Sequence, residues 1–202
     1  GAALLAGEGD LGVEETLLAR ERDEPGISQD LARHTRGLLG VRACAYYKIV
    51  DDVLLLKHLD GDLSGSELAP SIAVNQTSLG TVVGRGRPVV VPLAGKTEEH
   101  LFTKLSEPVA SSSLLAVPVR YEDETFGVLM CVAMGAYRFS DDDKHLVTAL
   151  SSFGASSIQN ARLYAKVFTV EEGLRRSERL TALGLLAALC AGEHGAYGAG
   201  DG

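Results

Sequence analysis

The sequence predicts an α+β domain: a central antiparallel β-sheet covered by helices on both faces, with a further helix at each end of the chain. Three observations carry this reading. Two pairs of apolar runs, each interrupted by a short acidic turn, have the form of β-hairpins: ACAYYKIV, Asp51-Asp52, VLLLKHL, and later SLLAVPVRY, Glu122-Asp123-Glu124, TFGVLMCVAM. In these strands apolar residues occupy both alternating positions, which leaves no side of the sheet for water and calls for helices above and below. After the second hairpin, Ser140-Asp141-Asp142-Asp143 opens a long helical repeat, with serine as N-cap and acidic residues at the positive helix end.

In chain order, Leu11, Glu15, Leu18 and Arg22 fall on neighbouring turns of a short charged helix, which the Glu24-Pro25-Gly26 breaker is expected to end. A second helix follows, with Ile27, Leu31, His34, Leu38 and Leu39 at helical spacing, Ser28 as its N-cap and Gly40 as its stop. The first hairpin spans Ala43–Val50 and Val53–Leu59, although Asp-Asp is a weaker turn than Asp-Gly. A loop, DGDLSGSELAP, leads to a short helix ending near Gly84-Arg85-Gly86 and a brief strand, Val89–Val91, closed by Pro92. The connection from Leu93 to Ser113 has room for one helical turn through Glu98–Leu105; connections of this length tend to be functional, so it is the expected lid. In the last helix Leu146, Leu150, Phe153, Ser157, Ala161, Tyr164 and Val167 form a three-and-four spaced stripe suited to pairing with a twin.

At 202 residues the chain accommodates one medium domain plus helical extensions. A hydrophobic share of 46% and a charged share of 23% place it among globular proteins and not disordered ones. The net charge of -8 argues against nucleic-acid binding, which needs a concentrated basic surface. Cys44, Cys131 and Cys190 lie far apart without a CxxC pair, which fits free thiols in a reducing compartment. No apolar run reaches membrane-spanning length, and GAALLAGEGD lacks the basic flank of a signal peptide, so a cytoplasmic location is expected.

Three stretches together resemble the GAF domain: LGTVVGRGRPVVVP at 79–92, LLAVPVRYEDETFGVLMCVAM at 114–134 and YRFSDDDKHLVTALSSFGASSIQNARLY at 137–164. The resemblance implies a central antiparallel sheet with a small-molecule pocket on one face and dimerising helices on the other. It divides the chain into an N-terminal helix and linker (1–26), a sensor domain (27–167) and a signalling segment (168–202). From Arg175 on, in RRSERLTALGLLAALCAGEHGAYGAG, that last segment resembles the approach to a histidine-kinase H-box through Leu180, Leu183, Gly184, Leu186, Ala187, Ala188, Ala191 and Glu193. Gly192 occupies the place of the phosphoacceptor histidine. His194 lies two residues on, about 200° around the helix, and no Asn-Pro pair follows. The segment therefore reads as an incomplete start of a kinase dimerisation region, and no catalytic residue is assigned.

The resemblance implies a pocket lined from the first strand, the short helix, the lid and the last strands, with Tyr46, Tyr47, Thr81, Phe102, Ser112 and Met130 as candidates: aromatic walls with sparse hydroxyls, as small organic ligands require. Ordinary core packing is the competing role for each. The Asn-Lys, Phe, Asp-Glu signature of cyclic-nucleotide-binding relatives is absent. Cys44 and Cys131 fall inside strands, where packing outweighs bilin attachment, and they offer no evident resolving pair for methionine-sulfoxide reduction. His100, beside Glu98 and Glu99, is the one histidine to weigh as an axial ligand; a solvated loop position is the stronger reading, and no metal site is assigned. Gly80, Gly84 and Gly86 serve turns and caps rather than phosphate binding. The cofactor is unknown. The expected partners are an unidentified small molecule, a second copy through the terminal helices, and a downstream kinase or response regulator. Two rival roles stand beside sensing: the front of an active histidine kinase, and a ligand-free dimerisation module.

Overall fold

The computed structural model describes residues 8–93, 99–106, 109, 112–133 and 139–195, with side-chain surroundings given for 24–93, 100–106, 109, 112–133 and 139–186. The elements are α1 (Glu8–Leu39), β1 (Ala43–Val50), β2 (Val53–Gly61), β3 (Glu67–Leu68), β4 (Ser71–Ala73), α2 (Ser78–Arg85), β5 (Val89–Pro92), β6 (Phe102–Lys104), β7 (Ser113–Tyr121), β8 (Glu124–Ala133) and α3 (Asp141–Gly195). The chain divides into two compact units, Gly1–Ala161 and Arg162–Gly202.

Both hairpins form as the apolar runs dictate. Val50 pairs with Val53 across Asp51-Asp52, and Tyr121 pairs with Glu124 across Glu122-Asp123, so Glu124 is a strand residue and not part of the turn. Each two-residue turn needs a left-handed first position, and an acidic residue supplies it: Asp51 at φ 53° and Glu122 at φ 50°. The hairpins join side by side into a six-stranded sheet of order β4-β2-β1-β8-β7-β5, antiparallel throughout. β3 and β6 form a separate two-stranded ladder, and β6 begins where one helical turn through Leu105 was expected. Among the described residues of that stretch Glu99–Leu101 coils, as a 3-10 turn, before Leu68 and Phe102 pair.

Because β1 and β8 are central, their alternate side chains build two cores. Ala43, Ala45 and Tyr47 of β1 join Val128, Met130 and Val132 of β8 under α2, whose Leu79 and Val82 are buried against them. Cys44 and Tyr46 join Leu129 and Cys131 on the opposite face, covered by Leu31 and Ala32 of α1 and by Val147, Ala155 and Ile158 of α3. Gly154 permits close approach of the two helices, since a Cβ there would lie 2.8 Å from a methyl of Leu31.

The helix boundaries show where local signals were overridden. Residues expected to form two helices separated at Pro25 form the single helix α1, with Pro25 inside it. An interior proline removes one helical hydrogen bond and costs about 3 kcal/mol. Contacts with the sheet flank the break: Glu24 pairs with Lys48 of β1 at 2.9 Å. Ser28 is consequently not an N-cap; its hydroxyl donates to the Pro25 carbonyl at 3.0 Å. The start of α3 follows its signal closely. The Ser140 hydroxyl accepts from the Asp143 N–H at 3.1 Å while the Asp143 carboxylate accepts from the Ser140 N–H at 2.8 Å, a reciprocal capping box. Among the described residues no helix is long and apolar enough to cross a membrane.

Candidate functional site

Consecutive residues of a strand point to opposite faces, and this separates the two tyrosines proposed for one pocket. Tyr47 lies in the core under α2, where its hydroxyl donates to the Ala69 carbonyl at 2.9 Å and burial pushes its pKa well above the ordinary phenol range. Tyr46 lies in the core under α1 and α3, with its hydroxyl directed to the Phe126 carbonyl at 3.4 Å. Of the other candidates, Met130 and Phe102 share the Tyr47 core. Ser112 is buried beside it, its carbonyl accepting from the N–H of the core residue Leu93. Thr81 is exposed on α2, whose inward face is made by Leu79 and Val82 instead. The structure thus brings Tyr47, Met130, Phe102 and Ser112 to one side of the sheet and leaves Tyr46 and Thr81 apart. Much of the expected lid, at 94–98, 107–108 and 110–111, lies outside the described residues.

A cavity with several charged and polar side chains in its wall lies on the other face. It measures about 430 Å³ and opens between α1 and the β1–β2 hairpin, with Glu24, Pro25 and Ser28 on the helix side. Tyr46, Lys48, Lys57 and His58 form the sheet side. Its construction follows from an irregularity in β2. Tyr46 pairs with His58 but Tyr47 pairs with Leu56, so Lys57 is the extra residue of a β-bulge. A bulge re-aims side chains, and here two neighbouring residues of one strand, Lys57 and His58, both line the cavity. Lys48, two residues beyond Tyr46, falls on the same face by ordinary alternation.

The electrostatics of the cavity are mixed. Lys48 is held by Glu24, with both side chains largely shielded from water. Lys57 is exposed and takes part in no ion pair among the described residues. Partial burial lowers the His58 pKa from its ordinary value, the neighbouring Lys57 charge lowers it further, and a hydrogen bond to the Pro25 carbonyl opposes both. Near an expected strand end, His58 carries no sequence signal that marks it as functional. β2 instead continues to Gly61, and the bulge that gathers these groups has no local sequence signature.

The cysteines also differ from expectation. Cys44 and Cys131 are register partners on adjacent strands, buried, with Sγ atoms 3.5 Å apart, so the strand cysteines do form a facing pair. Burial pushes the Cys44 thiol well up, and its hydrogen bond with Cys131 adds to the effect, which disfavours the reactive thiolate. His100 is exposed in the middle of the 3-10 turn, and among the described residues no three His, Cys, Asp or Glu side chains gather as a metal site. The side chains of Cys190, Gly192 and His194, on the last turns of α3, lie outside the described set.

Comparison with known proteins places this architecture. The GAF domain family matches residues 23–158. Among solved structures, the blue-light absorbing form of the Thermosynechococcus elongatus PixJ GAF domain is similar at a TM-score of 0.60 and 20% identity, covering 77% of this chain and 96% of that one. Free methionine-R-sulfoxide reductase from Neisseria meningitidis, solved with its substrate, is similar at a TM-score of 0.59 and 20% identity, covering 76% and 89%. The GAF domain of a two-component sensor histidine kinase from Bacillus halodurans is similar at a TM-score of 0.54 and 18% identity, covering 67% and 95%. At such identities the likeness is one of fold.

Proposed function

Because the chain belongs to the GAF domain family, a family of sensing and signalling domains, we propose that it is a small-molecule-sensing regulatory module of a two-component-type signalling protein, transmitting its ligand state through α3 paired with a second copy. The observation that carries this reading is the division of labour along α3. Val147, Ala155 and Ile158 are fully buried in the domain core, while on the same helix Phe153 is 74% and Tyr164 78% exposed. Leu146 and Val167 of the same stripe are exposed as well. Apolar side chains at this spacing favour burial against a matching helix, and a fully buried large side chain gains about 1.5–3 kcal/mol over an exposed one.

A core-anchored helix that also pairs with its copy links the two events: a change in the sheet or its covering helices alters the surface offered to the partner. The ligand acts only through unequal affinity for the two arrangements. The segment after Arg175 would hand the change to a kinase or response regulator. With Gly192 at the phosphoacceptor position, this chain is assigned no catalytic step of its own.

The expected result in native mass spectrometry is a dimer that Phe153→Glu with Tyr164→Glu reduces to a monomer that still unfolds in one cooperative transition, at a lower melting temperature because the contribution of pairing is lost. A monomeric unsubstituted chain at every concentration would remove the transmission route. A second reading, a ligand-free dimerisation module, is favoured by one observation: Tyr47 and Met130 are completely buried and the Tyr47 hydroxyl is committed to Ala69. Recovery of a co-purifying small molecule in the same spectra decides against it. The front of an active histidine kinase is the third reading, and phosphate on His194 after incubation with ATP and a separate kinase catalytic domain would establish it.

A further inference from the structure

We propose that the cavity between α1 and the β1–β2 hairpin is a binding site for a small organic carboxylate, anchored by Lys57 and His58 and competing with Glu24 for Lys48. The cavity lies on the face of the sheet opposite Tyr47 and Met130, so it is separate from the pocket that the aromatic candidates suggested. Three features show that it is built and not a packing gap. The bulge at Lys57 turns two polar residues of one strand into the same space. Pro25 interrupts the hydrogen-bond ladder of α1 at the cavity wall, and its carbonyl is engaged by the Ser28 hydroxyl and by His58. The charged groups lining the cavity are two ammoniums and a single carboxylate, which leaves an excess positive charge suited to an anion.

The choice of carboxylate comes from the site's own chemistry. Lys48 already holds a carboxylate, that of Glu24, at 2.9 Å. The charged donors, Lys48 and Lys57, are side chains of the neighbouring strands β1 and β2, whereas a phosphate cradle relies on a cluster of backbone N–H groups. The Tyr46 and Pro25 rings supply apolar wall for a short carbon chain, and about 430 Å³ is ample for one.

Binding would also take up a proton. The groups facing His58 are Glu24 and the Pro25 carbonyl from α1, Tyr46 and Lys48 from β1, and Lys57 beside it. With one ring nitrogen bonded to the Pro25 carbonyl, the other is open to protonation, and an incoming anion stabilises the charged imidazole. Affinity therefore rises as pH falls through the histidine range. A carboxylate that takes Lys48 releases Glu24, which ties α1 to the sheet, so occupied and empty sites differ in how α1 is held.

The test is titration of the full chain with succinate at constant ionic strength, read on the His58 imidazole NMR signals, which His58→Gln identifies by their loss. Succinate should shift these signals saturably near pH 6, about tenfold more weakly near pH 8, and about tenfold more weakly in Lys57→Gln, whose melting temperature confirms folding. Succinamide, uncharged and of the same length, should leave them in place. Unmoved His58 signals with succinate near pH 6, undiminished affinity in Lys57→Gln, or tighter binding of inorganic phosphate would each overturn the assignment. Dimer mass on the same samples keeps the outcomes separate: binding to a monomer upholds this site and removes only transmission through α3.

Discussion

The two faces of the sheet are made from the same strands and differ in kind. Under α2 the described residues form an apolar core, and the Tyr47 hydroxyl is spent on the Ala69 carbonyl. Under α1 the centre is equally apolar, but toward the β1–β2 hairpin it gives way to Lys48, Lys57, His58 and Glu24 around open space. Central strands buried on both sides leave little room for polar chemistry, which moves to where a bulge and an interrupted helix disturb regular packing. Chemistry in this molecule is therefore sought at an irregularity of the fold rather than at its most aromatic point.

The comparison breaks most directly at Tyr47. If the α2 face is a closed core, Tyr47→Ala should cost about 3–5 kcal/mol, the range for emptying a large buried aromatic site, in denaturant unfolding. A cost below about 1 kcal/mol would mean the face already holds a collapsible pocket. Glycine substitutions sharpen the same contrast. A Cβ on Gly80 of α2 would sit 1.7 Å from the Val74 carbonyl oxygen, so Gly80→Ala should lose about 1–3 kcal/mol by forcing backbone apart. The atoms nearest to a Cβ on Gly154 of α3 belong to the Leu31 side chain, a methyl at 2.8 Å first, and a side chain can shift where backbone cannot. The helix-propensity gain of about 1 kcal/mol should then leave Gly154→Ala within about 1 kcal/mol of neutral. Equal costs at the two sites would erase the difference in how the covering helices pack.

Ser140→Ala, which removes the capping box of α3, should cost about 1 kcal/mol without touching either core. The pH dependence in the histidine range is smaller and belongs to the α1 face. His58 has a lowered folded pKa, so the unfolded chain binds its proton first as acid is added. Its contribution is complete above the unfolded value near 6.5 and is lost as pH falls toward the lowered folded value. His58→Gln should flatten that part of the stability profile, and an unchanged profile would place the dependence elsewhere. The smallest effect concerns the cysteines: Cys44 and Cys131 should resist iodoacetamide in the folded chain and react only on unfolding, counted by mass.

Much of this fold was legible because its signals are local. The two acidic turns, the glycine stop at Gly86 with φ 61°, and the Ser140 cap each rest on a few adjacent residues. β3 and β4, two and three residues long, were not legible, since strands that short exist only through their partners. The continuity of α1 through Pro25 was hidden for the same reason. Period-two alternation was enough to place Tyr46 and Tyr47 on opposite faces, and reading them as one pocket overlooked it. The cavity was not legible at all: it depends on a one-residue slip of β2 against β1, and nothing near Lys57 announces it.

The central position of β1 has a last consequence. Its odd-numbered residues belong to one layer and its even-numbered residues to the other, so the strand works like a zip with teeth on both edges. Exchanging a tooth for one of similar size leaves the zip closed, whereas deleting a residue between Ala43 and Tyr46 would throw every later tooth onto the wrong edge. This stretch tolerates changes of identity and none of length.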